Sequence, residues 1–169
     1  MHNRHGFTIV ELLIVIVVIG VLAAITIVAY NGMQDRVKNT KTLAAANAWI
    51  KVIKQYNAVN GTLPSEYSCL GGPTTYPDNG QCWDGSTWTV RAAFLNQVQP
   101  YIGPNYPEPD LTDLHNGGVG SPKRGVLYIA STKEIYVMLI GTGACPDVGI
   151  GAAARAVYGS GIRCAYTFN

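Results

Sequence analysis

The sequence predicts an α+β fold: one long N-terminal α-helix packed on a C-terminal antiparallel β-sheet, with disulfide-closed loops. Three observations carry that expectation. An uncharged apolar run over residues 12–30 leads directly into a segment with apolar residues at helical spacing. Three β-rich segments lie in the last third of the chain. All four cysteines, Cys69, Cys82, Cys145 and Cys164, come after the apolar run. At 169 residues the chain has the length of one domain with at most an appendage, and a formal net charge of +2 makes no global case for nucleic acid.

The first element is the helix. As an α-helix, residues 7–30 would rise about 36 Å, enough to cross a bilayer. A secretory signal peptide is a poor match, because its apolar core is shorter and ends at an A-x-A-like cleavage site. A plain anchor is a poor match too, because of Glu11. An ionised carboxylate in hydrocarbon costs about 3 kcal/mol on the most lenient scales, so it marks a function and a partner. Beyond the run, Leu43, Ala46, Ile50 and Ile53 recur on one helix face, and Trp49, Val52, Tyr56 and Val59 form an adjoining stripe. Lys38, Lys41, Lys51 and Lys54 are expected to face solvent. Asn60-Gly61 and Pro64 supply the stop. One helix from about Phe7 to Val59 would be about 80 Å long.

The next elements are less regular. Residues Ser65 to Val119 read as loop, interrupted by a short amphipathic helix over Trp88–Val98. Strands are expected at Gly125–Ser131 and Glu134–Thr142, joined at Thr132-Lys133 as a hairpin, and a third at Ile162–Phe168. Charge is sorted along the chain. Arg36, Lys38, Lys41, Lys51 and Lys54 stand in the helix against Asp35 alone. Glu66, Asp78, Asp84, Glu108, Asp110 and Asp113 occupy the loop region with Arg91 as their one base. Such a basic rod and acidic loop region suit attraction between subunits as well as a solvated surface.

Catalytic signatures are weak. His115 sits in a Gly-rich loop without a flanking nucleophile motif. Gly149-Ile150-Gly151-Ala152-Ala153-Ala154 fits G-x-G-x-x-A, but no acid follows it and no βαβ unit frames it. Glu108, Asp110 and Asp113 lack the spacing of a calcium loop. The cysteines lack paired zinc spacings. Neither an enzyme activity nor a cofactor or metal is expected.

The stretch Gly6-Phe7-Thr8-Ile9-Val10-Glu11, followed by the apolar run, resembles the type IV prepilin signal. The match spans residues 6–30, including Gly20 and Leu22-Ala23-Ala24-Ile25. The resemblance implies a leader of residues 1–6, with Arg4 on the cytoplasmic side in keeping with the positive-inside rule. It implies cleavage between Gly6 and Phe7 by a prepilin peptidase, and N-methylation of the new Phe7 amine. Residues 7–30 would then be a transmembrane and filament-core helix, and residues 31–169 an amphipathic helix plus a globular pilin head. The new α-amine has a reference pKa of about 7.7–8. In a homo-oligomeric helical filament, Glu11 of one subunit would meet the Phe7 amine of a neighbour, and pairing would offset the cost of burying either charge. Many pilins carry a proline where this chain has Val28, a departure that leaves Gly20 as the residue able to loosen the helix.

The function implied is a structural subunit of a type IV pilus, in attachment, motility or DNA uptake. It would be anchored in the cytoplasmic membrane as a precursor and extracellular once assembled. The pilus assembly platform and motor ATPase would be partners, with DNA or a host surface as further ones. A pseudopilin of a type II secretion or competence system shares this logic, and a non-polymerising single-pass binding protein is the reading from another class. Beyond a membrane the cysteines would form disulfides. The simplest pairing is Cys69–Cys82 and Cys145–Cys164, the second resembling the disulfide-bounded loop of many pilins. Four cysteines allow three connectivities, and sequence alone does not choose.

Overall fold

The structure, a computed structural model, describes residues 8–76, 80–82, 88–111, 125–151 and 153–168. A 52-residue helix, α1 (Ile9–Asn60), is followed by β1 (Ser68–Cys69), α2 (Ala92–Val98), a single 3₁₀ turn (Gln99–Tyr101), β2 (Val126–Ile129), β3 (Glu134–Ile140), β4 (Ala154–Tyr158) and β5 (Gly161–Thr167). The chain divides into two compact units, Met1–Arg36 and Val37–Asn169, and α1 contributes to both.

In the N-terminal unit, α1 is continuous through Gly20 and Gly32. A methyl group built on either glycine would meet nothing within 4 Å. Thr26 turns its hydroxyl back onto the Leu22 and Ala23 carbonyls at 3.1 and 2.9 Å. Its polar group is thereby satisfied inside an apolar segment.

The second unit is the head. Its antiparallel sheet has the order β1-β2-β3-β5-β4. Alternation along each strand separates two faces. Val126 and Tyr128, then Ile135, Val137 and Leu139, then Ile162, Cys164 and Tyr166 share one buried cluster with Ala46, Trp49, Ile50 and Ile53 of α1. Trp49 is fully buried, its indole N–H donating to the Pro107 carbonyl at 2.8 Å, and its ring lies 6.0 Å from Phe94. The other face, with Leu127 and Met138, forms a second cluster with Cys69, Tyr76 and Cys82. The loop after β1 therefore covers the sheet face that α1 does not.

Disulfides join Cys69 to Cys82 and Cys145 to Cys164. Each ties a loop to a strand: Cys69 lies in β1 and Cys164 in β5. The second loop is also fastened by Arg155 of β4, which donates to the Thr142 and Gly143 carbonyls at 2.6 and 2.9 Å.

The structure differs from the sequence expectations at several points. The helix expected over Trp88–Val98 is confined to Ala92–Val98. Before it, Thr89 bridges Gln81, and the Cys69 and Cys82 N–H groups donate to the Thr89 and Trp88 carbonyls. The β-branched Thr89-Val90 pair follows its strand preference once a neighbouring backbone is there to pair with. The sheet has five strands rather than three. Two-residue β1 is too short to leave a periodic trace. Strand β4 begins at Ala154, where the G-x-G-x-x-A stretch ends, and its Ala154 and Ala156 give no alternation to read. Gly149-Ile150-Gly151 leads into this antiparallel hairpin, so it opens no βαβ unit. Val59, expected on the apolar face, is 72% exposed, and Lys38, expected in solvent, is half-buried.

Candidate functional site

Assembly chemistry is expected at the start of α1, and the local structure there follows from four residues, Thr8-Ile9-Val10-Glu11. The backbone N–H groups of a first helical turn lack partners. Here the Glu11 N–H donates to Thr8 Oγ1 at 3.3 Å, while Glu11 Oε2 accepts from the Thr8 N–H at 2.8 Å and from the Thr8 hydroxyl at 2.7 Å. This is a reciprocal capping box, Thr at the cap and Glu three residues on. The T-x-x-E spacing that makes this box is legible in the sequence itself. Glu11 is exposed, and Thr8 is its only partner among the described residues. Gly6 and Phe7 lie outside the described residues, so the structure does not place the expected cleavage position.

The surface that follows is apolar on all sides. Every large apolar side chain from Ile9 to Ile27 is exposed, from 49% at Val15 to 83% at Ile9. Among the described residues this is the one helix long and apolar enough to cross a membrane. A helix hydrophobic all round is stable only when something apolar surrounds it. Contiguous exposed patches on soluble monomers rarely exceed a few hundred Å².

Comparison with known proteins points to the same segment. Residues 1–27 match the model of the prokaryotic N-terminal methylation motif. The chain is 36% identical over 70 residues to the type IV wide pilus major component PilA4 of Thermus thermophilus, covering 41% of this chain and 53% of that protein. Over those 70 residues the chain resembles a type IV pilus component. It is also 32% identical over 68 residues to a fimbrial protein of Neisseria meningitidis (40% of each chain), and 34% identical over 80 residues to a probable minor fimbrial protein of Dichelobacter nodosus (47% of this chain, 42% of that one). The matched region spans about half or less of these relatives' length, and no solved structure matches the chain. The likeness to pilins thus rests on residues 1–27 and on matches over 40–47% of the chain, beside a head built as helix, antiparallel sheet and two disulfides.

In the head, the charges sorted along the sequence meet partly within one chain. Lys41 lies 3.9 Å from Asp110, and the Asp110 N–H donates to Thr42 Oγ1 at 3.1 Å. Arg91 pairs with Glu66 at 3.2 Å, donates to the Tyr67 hydroxyl at 2.9 Å, and sits 4.3 Å over the Tyr67 ring. Glu108 accepts from Thr75. Some of the attraction expected between subunits is therefore spent inside the subunit. His115, Asp113, Asp78 and Asp84 lie outside the described residues. Among the described residues no three His, Cys, Asp or Glu side chains converge as a metal site.

Proposed function

We propose that this chain is a structural subunit of a type IV pilus. Residues 7–30 anchor the precursor in the cytoplasmic membrane, with residues 1–6 as leader and residues 31–169 carrying the head outside. A prepilin peptidase cuts between Gly6 and Phe7 and the Phe7 amine is methylated. A platform protein and motor ATPase then transfer the helix into a filament of identical subunits. The observation that carries this reading is the uniformly exposed apolar surface of residues 9–27. Lipid and neighbouring copies of the same helix are both apolar covers for it, so one surface serves anchorage and then assembly. The names of the relatives, which are fimbrial and pilus proteins, favour a pilus over a secretion pseudopilus.

Glu11 is the pairing partner of the Phe7 amine on the next subunit. The capping box supports this role by fixing the carboxylate at the first turn, where an amine four residues upstream on a staggered neighbour can reach it. The test is Glu11→Val, examined by immunoblot for leader removal and by electron microscopy of sheared surface fractions. Leader removal is expected to persist and filaments to disappear. Filaments in normal number would refute the pairing.

A further inference from the structure

Three cavities at the C-terminal end of α1 share lining residues and form one groove across the head. The central one, about 530 Å³, is lined by Asn57, Thr62, Leu63, Ser131, Lys133 and Phe168 among others. Asn57, Leu63 and Phe168 continue into a second cavity of about 230 Å³ that reaches Lys54. Ser131 continues into a third, also about 230 Å³, walled by Tyr67 and Trp88. The central volume is in the range of small-ligand sites.

The groove sets polar side chains beside apolar ones. Several polar side chains of the head make hydrogen bonds within the chain, among them Asn39, Thr42, Thr75 and Asn60. Among the described residues, the side chains of Asn57, Thr62, Ser131 and Lys133 make none. They offer an amide, two hydroxyls and an ammonium over an apolar floor of Leu63 and Phe168. Lys133 is also the one non-glycine among the described residues with positive φ, at 56°. Glycine fits that conformation without strain, whereas an L side chain pays roughly 1 kcal/mol or more for it. A cation is kept at the mouth of the groove against the local backbone preference. At the far end, Trp88 packs edge-on to Tyr67 at 5.0 Å and lines the wall with its indole. Charge there is balanced, because Glu66 is paired with Arg91. Lys54, at the opposite end, donates to the Gly149 carbonyl at 2.9 Å and adds a second positive charge.

Hydroxyls and an amide for hydroxyl groups, an apolar floor and an indole for C–H faces, and lysines for a carboxylate together describe one ligand class. We infer that this groove binds an acidic saccharide. Lys133 takes the sugar carboxylate, Thr62, Ser131 and Asn57 bond the ring hydroxyls, and Trp88 packs on the next residue of the glycan. The site is testable on the unassembled chain.

The experiment uses the full chain in an amine-oxide detergent, which carries no sugar, and measures binding of trigalacturonate, maltotriose and triglutamate by saturation-transfer NMR and calorimetry. Saturable binding of trigalacturonate is expected, with maltotriose and triglutamate each weaker by about tenfold or more. Lys133→Gly removes the cation and the strain together. It is expected to lower trigalacturonate affinity about tenfold while the thermal midpoint holds or rises. Thr62→Val with Ser131→Ala is expected to lower affinity with the midpoint unchanged. Three results would overturn the inference: no saturable binding of trigalacturonate, equal binding of either comparison ligand, or full affinity in Lys133→Gly.

Discussion

Glu11 carries two separable roles on one side chain. As the third residue of a capping box it closes the first turn of α1 through Thr8. As an ion it is the proposed partner of a neighbour's Phe7 amine. Glutamine serves in the same cap position but carries no charge. Glu11→Gln should therefore keep the helix start, read as unchanged helicity by circular dichroism in detergent, and still fail to yield filaments. Filaments from the Gln variant but not from Glu11→Val would assign the role to capping instead. At the same scale, two buried tyrosines set an alkaline limit for the head. Burial pushes the Tyr128 phenol up to about 12, assisted by Tyr56, and does the same to Tyr166, assisted by Asp147. Both phenols donate to proline carbonyls, Tyr128 to Pro64 at 2.9 Å and Tyr166 to Pro146 at 2.7 Å, bonds that ionisation would remove. Below pH about 10 both are neutral whether the chain is folded or not. Between about 10 and 12 only the unfolded chain releases these protons, so stability falls as pH rises. The urea midpoint of head unfolding should drop between pH 9 and pH 11, and less steeply in Tyr128→Phe. An equal slope in that variant would contradict the assignment.

At the scale of elements, the head is held together by side chains that act as extra strand partners. Asn39 of α1 faces the end of β3 and pairs with one residue in both directions. Its amide donates to the Ile140 carbonyl at 2.8 Å and accepts from the Ile140 N–H at 2.7 Å. This continues the ladder where β3 runs out. Asn39→Ala removes both bonds at once and should destabilise the head by about 1–3 kcal/mol, read as a lowered thermal midpoint. Asn39→Asp keeps the acceptor and loses the donor, and should fall between. Legibility varied at this scale for a physical reason. The head part of α1 was readable because Ala46, Trp49, Ile50 and Ile53 repeat at helical spacing on the buried face. The hairpin of β2 and β3 was readable because both strands are rich in β-branched and aromatic residues. Strands β1 and β4 were not. Each exists because a neighbour offers its edge, Tyr128 and Leu127 to β1 and residues 161–165 of β5 to β4. Pairing of that kind depends on the partner more than on the segment's own composition.

For the whole molecule, the division at Arg36–Val37 separates two kinds of stability. Residues before it have nothing to pack on within their unit and depend on an apolar cover. Residues after it contain both buried clusters and both disulfides. A fragment of Val37–Asn169 is expected to stay soluble and disulfide-bonded without detergent, by sedimentation and by mass mapping under non-reducing conditions. The full chain is expected to need detergent or lipid. Replacing Cys145 and Cys164 together by serine should cost the head about 3 kcal/mol, and likewise Cys69 with Cys82, measured by urea denaturation of the same fragment. Loss of solubility on truncation would mean that the first unit stabilises the head directly.

What the sequence determined by itself is the part whose surroundings are simple. A run of apolar residues needs an apolar cover in any fold, and the Gly6–Glu11 pattern and the cysteine count are read residue by residue. The capping box, too, is a local object, closed within four residues. What only the tertiary structure decided is everything that depends on residues meeting across the chain. It showed which cysteines join, that Arg91 and Lys41 neutralise acids of their own subunit, and that short β1 and alanine-rich β4 are strands. It also brought Thr62, Ser131 and Lys133 to one groove beside Asn57. Those residues lie up to 76 positions apart between Asn57 and Lys133 (133 − 57), and no periodicity links them. Their proximity is set by where α1 ends against the β2–β3 turn, and that is fixed by the packing of Trp49 and Ile53 on the sheet.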